Sequence, residues 1–209
     1  MNELLAYAAL GFHHVASPDA LDHILFLLAL AAIYRWHDWR SALWVVTAFT
    51  VGHSITLGLV ATDLLHVPAA IIEFLIPVTI VVTAIDNLLF HTRRSIAAGA
   101  NEQPTDSSDR RIRYRQLFAV VFGLVHGAGF ATYLRGLFVD HVIVPLLGFN
   151  LGIEAGQITI LLLAVAVLAT LDAGFRRIAQ TASLRWRIAS VSSVVGIVAV
   201  RWAVERAPW

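Results

Sequence analysis

VIVPLLGFNLGIEAGQITILLLAVAVLATL, residues 142–171, is the stretch that decides the fold. It is apolar for longer than a bilayer is thick, since about 20 helical residues rising ~1.5 Å each cross the hydrocarbon. Near its middle stand Asn150, Glu154 and Gln157. A carboxylate at that depth is strongly disfavoured unless it meets a partner, a cation or water. Asn150 and Glu154 are four apart and share a helix face, with Gln157 close to it. Gly148, Gly152 and Gly156 repeat every four residues on another side, a pattern that lets a second helix approach closely. One face is therefore expected to pack tightly, and the other to offer oxygen ligands to the protein interior.

Composition carries the same reading to the whole chain. Of 209 residues, 58% are hydrophobic and only 14% charged, with a mean hydropathy of +0.75. That is the make-up of an all-α polytopic membrane protein and excludes a soluble domain. Cysteine is absent, so disulfides and thiolate metal sites are excluded and any metal must sit on nitrogen and oxygen. All 15 basic residues are arginine, and nine histidines is a high number for so apolar a chain. The net charge of +1 identifies no partner by itself. The expected partners are the lipid bilayer and a metal ion, with self-association left open and no nucleic acid.

Working outward, six spans are expected at about residues 21–34, 41–61, 69–90, 116–139, 142–171 and 188–204. Ahead of them, the apolar run 4–12 is too short to cross and lacks a basic start, so a short interfacial or re-entrant helix is expected there. Together they form one transmembrane domain over residues 1–209. It is interrupted by a linker, 91–114, rich in Arg, Ser, Asp and Gly and containing Pro104. Twelve of the 15 arginines fall in the loops after the first, third and fifth spans, whereas loops 62–68 and 140–141 have none. The positive-inside rule then puts the linker in the cytoplasm and both termini outside; the expected location is the cytoplasmic membrane of a bacterium.

With that orientation, polar side chains on five spans share one depth, in the outer half of the bilayer. They are Asp22 and His23, then His53, Glu73, His126, and Glu154 with Asn150. A lone intramembrane histidine usually just bonds a neighbouring helix, but the coincidence of depth points to one shared site. Imidazole with carboxylate suits Ni²⁺, Co²⁺, Zn²⁺ or Cu²⁺. The expected ligands are Asp22, His23, His53, His126 and Glu154. His13, His14 and Asp19 would collect the ion, Glu73, Asn150 and Gln157 would support the site, and Asp86 and Asn87 would form a second polar step towards the cytoplasm. A faint internal echo, Phe49-Thr-Val-Gly-His53 against Phe122-Gly-Leu-Val-His126, with Glu73 and Glu154 following in the next spans, hints that spans two and three are repeated as four and five.

Four runs, taken together, resemble the HupE/UreJ family: Leu21-Asp-His-Ile-Leu-Phe-Leu-Leu-Ala-Leu30, Thr47-Ala-Phe-Thr-Val-Gly-His-Ser-Ile-Thr-Leu57, Phe122-Gly-Leu-Val-His-Gly-Ala-Gly-Phe-Ala131 and Phe149-Asn-Leu-Gly-Ile-Glu-Ala-Gly-Gln157. They stand in the family's order and cover spans one to five. The resemblance implies a nickel or cobalt permease of the kind associated with hydrogenases and ureases, with Asp22, His23, His53, His126 and Glu154 at its characteristic positions. Where many members carry a histidine six residues before the aspartate, this chain has Ala16, and His14 lies two residues earlier. Two readings of the residues stay open beside import: an intramembrane zinc-dependent hydrolase on the same cluster, and an accessory subunit with a structural metal.

Overall fold

Pro18 sets the shape of the N-terminal region. In the structure, a computed structural model that describes residues 3–34, 38–91, 107–135, 143–178 and 183–209, helix α1, Glu3–Ala16, stops just before the Ser17–Pro18 pair. Proline has no N–H and disfavours helical backbone in the residue ahead of it. The chain turns there, the Ser17 N–H donating to the His13 carbonyl at 2.9 Å and the Ala20 N–H to the Ser17 carbonyl at 2.9 Å. Helix α2, Leu21–Ala31, leaves at 71° to α1.

This corrects the expected first span. At 11 residues, α2 rises only ~16 Å and cannot cross alone. Joined to α1 it makes one bent pair, long and apolar enough for a broken span or a re-entrant loop. The remaining helices are α3, Trp39–Ala61, α4, Ala69–Asp86, α5, Ser107–Arg135, α6, Ile143–Ile178, and α7, Ser183–Glu205. A π-helical turn, Asn87–His91, continues α4. Among the described residues there is no strand, and the chain is an all-α membrane protein. Four of these helices, α3, α4, α6 and α7, are long and apolar enough to cross a membrane, or five spans if the bent pair is one. Six were expected; the remaining one, at 116–139, corresponds to α5, which begins at Ser107, inside the expected linker. Residues 92–106 of that linker lie outside the described ones.

Two tight helix pairs build the core. The Gly148, Gly152 and Gly156 face of α6 packs on α1, as the glycine spacing predicts, with Leu4, Ala8 and Phe12 against the three glycines in turn. A Cβ at Gly152 would run into the Ala8 carbonyl oxygen. The second pair is α3 with α5, where Gly52 meets the Val120 backbone, Gly123 that of Phe49, and Gly127 that of His53. Residue numbers rise together along each pair, so both pairs are parallel. Between the pairs the sense reverses. Along α3 and α6, Gly58 lies near Leu146, His53 near Phe149, and Thr47 near Glu154.

The C-terminal end of α2 is tied down from α7. Arg187 Nε donates to the Ala32 carbonyl at 3.0 Å and its Nη2 to the Tyr34 carbonyl at 3.0 Å, while Nη1 pairs with Asp172 at 2.8 Å. A cation on the orphan carbonyls of a helix end satisfies them and complements the helix dipole. The buried guanidinium in turn requires the Asp172 carboxylate.

Candidate metal centre

The break between α1 and α2 brings four histidines together. His14 closes α1, His23 opens α2, His53 lies in the second half of α3, and His126 sits on α5 beside the Gly123 and Gly127 contacts. His14, His23 and His53 each offer a ring nitrogen, and these three atoms lie within 4.8 Å of one another. The His126 ring centre is 5.2 Å from that of His23, and the His14 ring centre 4.9 Å from it. His53 is 0% exposed, His126 2% and His23 5%. Those three rings are shut away from the surface, and His14 is half-buried beside them.

The hydrogen bonds of these rings are incomplete. His23 Nδ1 lies 3.1 Å from Asp22 Oδ1, and His126 Nδ1 lies 2.8 Å from the Phe122 carbonyl. His14 Nε2, His23 Nε2, His126 Nε2 and both nitrogens of His53 are buried without a hydrogen-bond partner. Buried polar atoms are nearly always paired, and an unpaired one costs about 1–3 kcal/mol. Five in one cluster, each with a lone pair or an N–H to spend, are what a nitrogen-binding ligand would use. For three nitrogens at the outer limit of 4.8 Å apart, a central ion would sit about 2.8 Å from each, so movements under about 1 Å reach a metal–imidazole bond of ~2.1 Å. Asp22 orients His23 and accepts the His23 N–H at 2.9 Å, the arrangement of a carboxylate behind a ligating imidazole.

The other expected ligands divide. Glu154 is not in the histidine group. Its Oε1 accepts from Thr47 Oγ1 at 2.6 Å, and neighbouring Gln157 Oε1 accepts from Thr50 Oγ1 at 2.9 Å, which ties α6 to α3. Asn150 Nδ2 donates to the Leu146 carbonyl at 2.8 Å, and the Asn150 side chain stands beside His53, its buried Oδ1 closing no full hydrogen bond. Glu73, His13 and Asp19 are exposed, so none of them reaches the cluster. Glu73 shares the cluster's expected depth but turns away from it on α4, and only packing decides which way a helix face points. Asn87, expected as a polar step, is a structural tie, with Nδ2 donating to the Ala29 carbonyl at 2.8 Å and to Ser192 Oγ at 3.2 Å. Asp86 pairs with Arg115 at 3.3 Å, beside a cavity of about 50 Å³ that Phe26 and Phe122 separate from His126.

Sequence reasoning placed His14 among residues that collect the ion, whereas the structure places it in the closest trio. The signal was present in Gly11-Phe-His-His14 and Gly123-Leu-Val-His126, two glycines each followed three residues later by histidine. Phe130, 3.8 Å from the His14 ring centre and stacked on Phe149, is a wall residue that no pattern identified.

A broken helix pair beside a buried cluster of imidazoles, in a bundle of long apolar helices, defines a polytopic helical membrane protein. The family model for HupE / UreJ protein matches residues 1–206. The chain belongs to that family, and membership is consistent with a metal-transport or accessory role. Neither the curated proteins nor the solved structures compared with the chain give a match.

Proposed function

We propose that the protein is a permease that brings a divalent transition-metal ion, nickel or cobalt before zinc or copper, through the bacterial cytoplasmic membrane into the cell. The observation that carries this reading is the set of five buried, unpaired imidazole nitrogens on four helices. Neutral imidazoles favour Ni²⁺, Co²⁺, Zn²⁺ and Cu²⁺ over hard cations. The cargo ion would bind His14, His23 and His53, with Asp22 orienting His23 and offsetting part of the charge. With the arginine-rich loops inside, the inside-negative potential drives the cation inward. A hydrolase would need a carboxylate free to act as base on a bound water. Asp22 is engaged with His23 and Glu154 with Thr47, which favours carriage.

Uptake of Ni²⁺ or Co²⁺ into proteoliposomes tests the reading. Wild type is expected to load the vesicles, and His53→Ala to do so at least about a hundredfold more slowly, the loss expected when one ligand bond worth ~2.7 kcal/mol is gone. Wild-type uptake equal to that of empty vesicles would overturn it. Orientation has a separate check. A cysteine at Ser107, in this cysteine-free chain, is expected to resist an impermeant thiol reagent in intact cells, and labelling at the rate of a periplasmic control would reverse the topology.

A further inference from the structure

The two tight helix pairs match residue for residue. In α1 against α6, a Cβ on Gly11 would meet the Phe149 carbonyl and the nitrogen four residues on, Ile153 N; in α5 against α3, a Cβ on Gly123 would meet the Phe49 carbonyl and again the nitrogen four residues on, His53 N. From the other side, Gly152 faces the Ala8 carbonyl and Phe12 N, and Gly52 faces the Val120 carbonyl and Leu124 N. Ala8, Gly11 and Phe12 therefore stand to Phe149 and Gly152 as Val120, Gly123 and Leu124 stand to Phe49 and Gly52. This equates α1 with α5 and α3 with α6. The repeat echoed in the sequence has a different partition from the one expected, which equated α3 with α5.

The sense of the helices makes the repeat inverted. Because α1 is parallel to α6, α3 is parallel to α5, and α3 runs against α6, α1 and α5 run in opposite directions. The third members, α4 and α7, also pack against each other in opposite senses, with Phe74 at Trp209, Ala84 at Gly196 and Asn87 at Ser192. Each first helix has packed on the second helix of the other unit, so the units are interlocked. Inverted repeats of this kind let one protein adopt two opposite-facing states in which equivalent elements trade roles around a shared site.

The same match equates His14 with His126, three residues after Gly11 and Gly123. Their rings flank His23 at 4.9 and 5.2 Å. Each has a buried Nε2 without a partner. Only His14 lies within the close trio with His23 and His53, while His126 borders Phe26, Phe49 and Phe122, towards the Asp86–Arg115 cavity. We infer that the chain is an interlocked inverted repeat in which His14 and His126 are equivalent ligands at the two ends of one site, and that the ion exchanges one for the other while His23 and His53 hold it. The inference rests on the permease reading and adds the division of labour among its ligands.

Co²⁺ is the probe, because its visible absorption reports nitrogen ligation independently of transport. His14→Ala and His126→Ala are each expected to keep Co²⁺ absorption with affinity lowered about tenfold, ~1.4 kcal/mol, and each to lose uptake to the level of empty vesicles. The double variant is expected to lose the absorption, and His66→Ala, altered in the exposed loop after α3 where it pairs with Asp63, to behave as wild type. His14→Gln and His126→Gln repeat the measurement if an alanine variant fails to fold. If His14→Ala carries Co²⁺ like wild type while His126→Ala does not, or if either single variant abolishes binding as the double does, the equivalence is wrong. If wild type itself binds no Co²⁺, the permease reading falls with it; if wild type binds and carries Co²⁺ but is indifferent to His14, only this inference falls.

Discussion

At the C-terminal end of α2, Arg187 and Asn87 reach in from α7 and the π turn after α4 to hold the last carbonyls, and Asp172 and Ser192 complete the network. At its N-terminal end, His23 meets His14, His53 and His126, and five ring nitrogens are left without partners. Both ends bury polar side chains from several helices in a chain that is otherwise apolar. At one end each polar group answers another, so its removal leaves a partner stranded. At the other, ring nitrogens outnumber their partners, as the proposed metal site requires. The number of buried polar residues does not separate a structural network from a binding site; the balance of donors against acceptors does.

Four substitutions test that contrast. Arg187→Met is expected to be the most damaging to the fold, since it strands the Asp172 carboxylate and the Ala32 and Tyr34 carbonyls. Breaking one side of a buried ion pair destabilises by about 3–5 kcal/mol; thermal unfolding in detergent reads it, while Co²⁺ affinity of the protein that remains folded is expected to be unchanged. His53→Leu is the converse. It removes two buried unpaired nitrogens and keeps apolar bulk, so the apo protein is expected to unfold at an equal or higher temperature. Co²⁺ affinity, by titration calorimetry, is expected to fall at least about a hundredfold, ~2.7 kcal/mol. A loss of apo stability with metal affinity intact would make His53 a structural residue and erase the contrast.

Smaller effects sharpen the boundary between the two ends. Asn87→Ala loses two hydrogen bonds and strands the Ala29 carbonyl from its side-chain donor, which is expected to lower stability by about 1–3 kcal/mol in the same unfolding assay. Uptake measured below the new unfolding temperature is expected to persist, which would separate Asn87 from any polar step on the ion's route. Glu154→Gln is the mildest. A glutamine carbonyl still accepts from Thr47, and the carboxylate stands outside the histidine trio. Metal affinity is therefore expected to change by less than about tenfold, under ~1.4 kcal/mol. A larger fall would bring Glu154 into the metal site, as the apolar surroundings of residues 142–171 alone first implied.

What was legible in the sequence is what local rules control. Span length and apolarity identified a helical membrane protein, the short apolar run 4–12 announced a separate helix ahead of the spans, and the glycines at 148, 152 and 156 announced a close helix contact. His23, His53 and His126, named from depth alone, stand together. Depth is linear in residue number along a helix, so the chain by itself determines it. Which way a face turns, and which helix it meets, is set by packing between segments far apart in the chain. That is why Glu73, at the expected depth, is exposed, and why Glu154 answers Thr47. It is also why Arg187, counted as a loop charge, is a buried clamp. Only the tertiary structure could bring His14 back across the Pro18 break onto His23, because a 71° turn between two half-helices is a relation between directions in space that residue spacing does not encode.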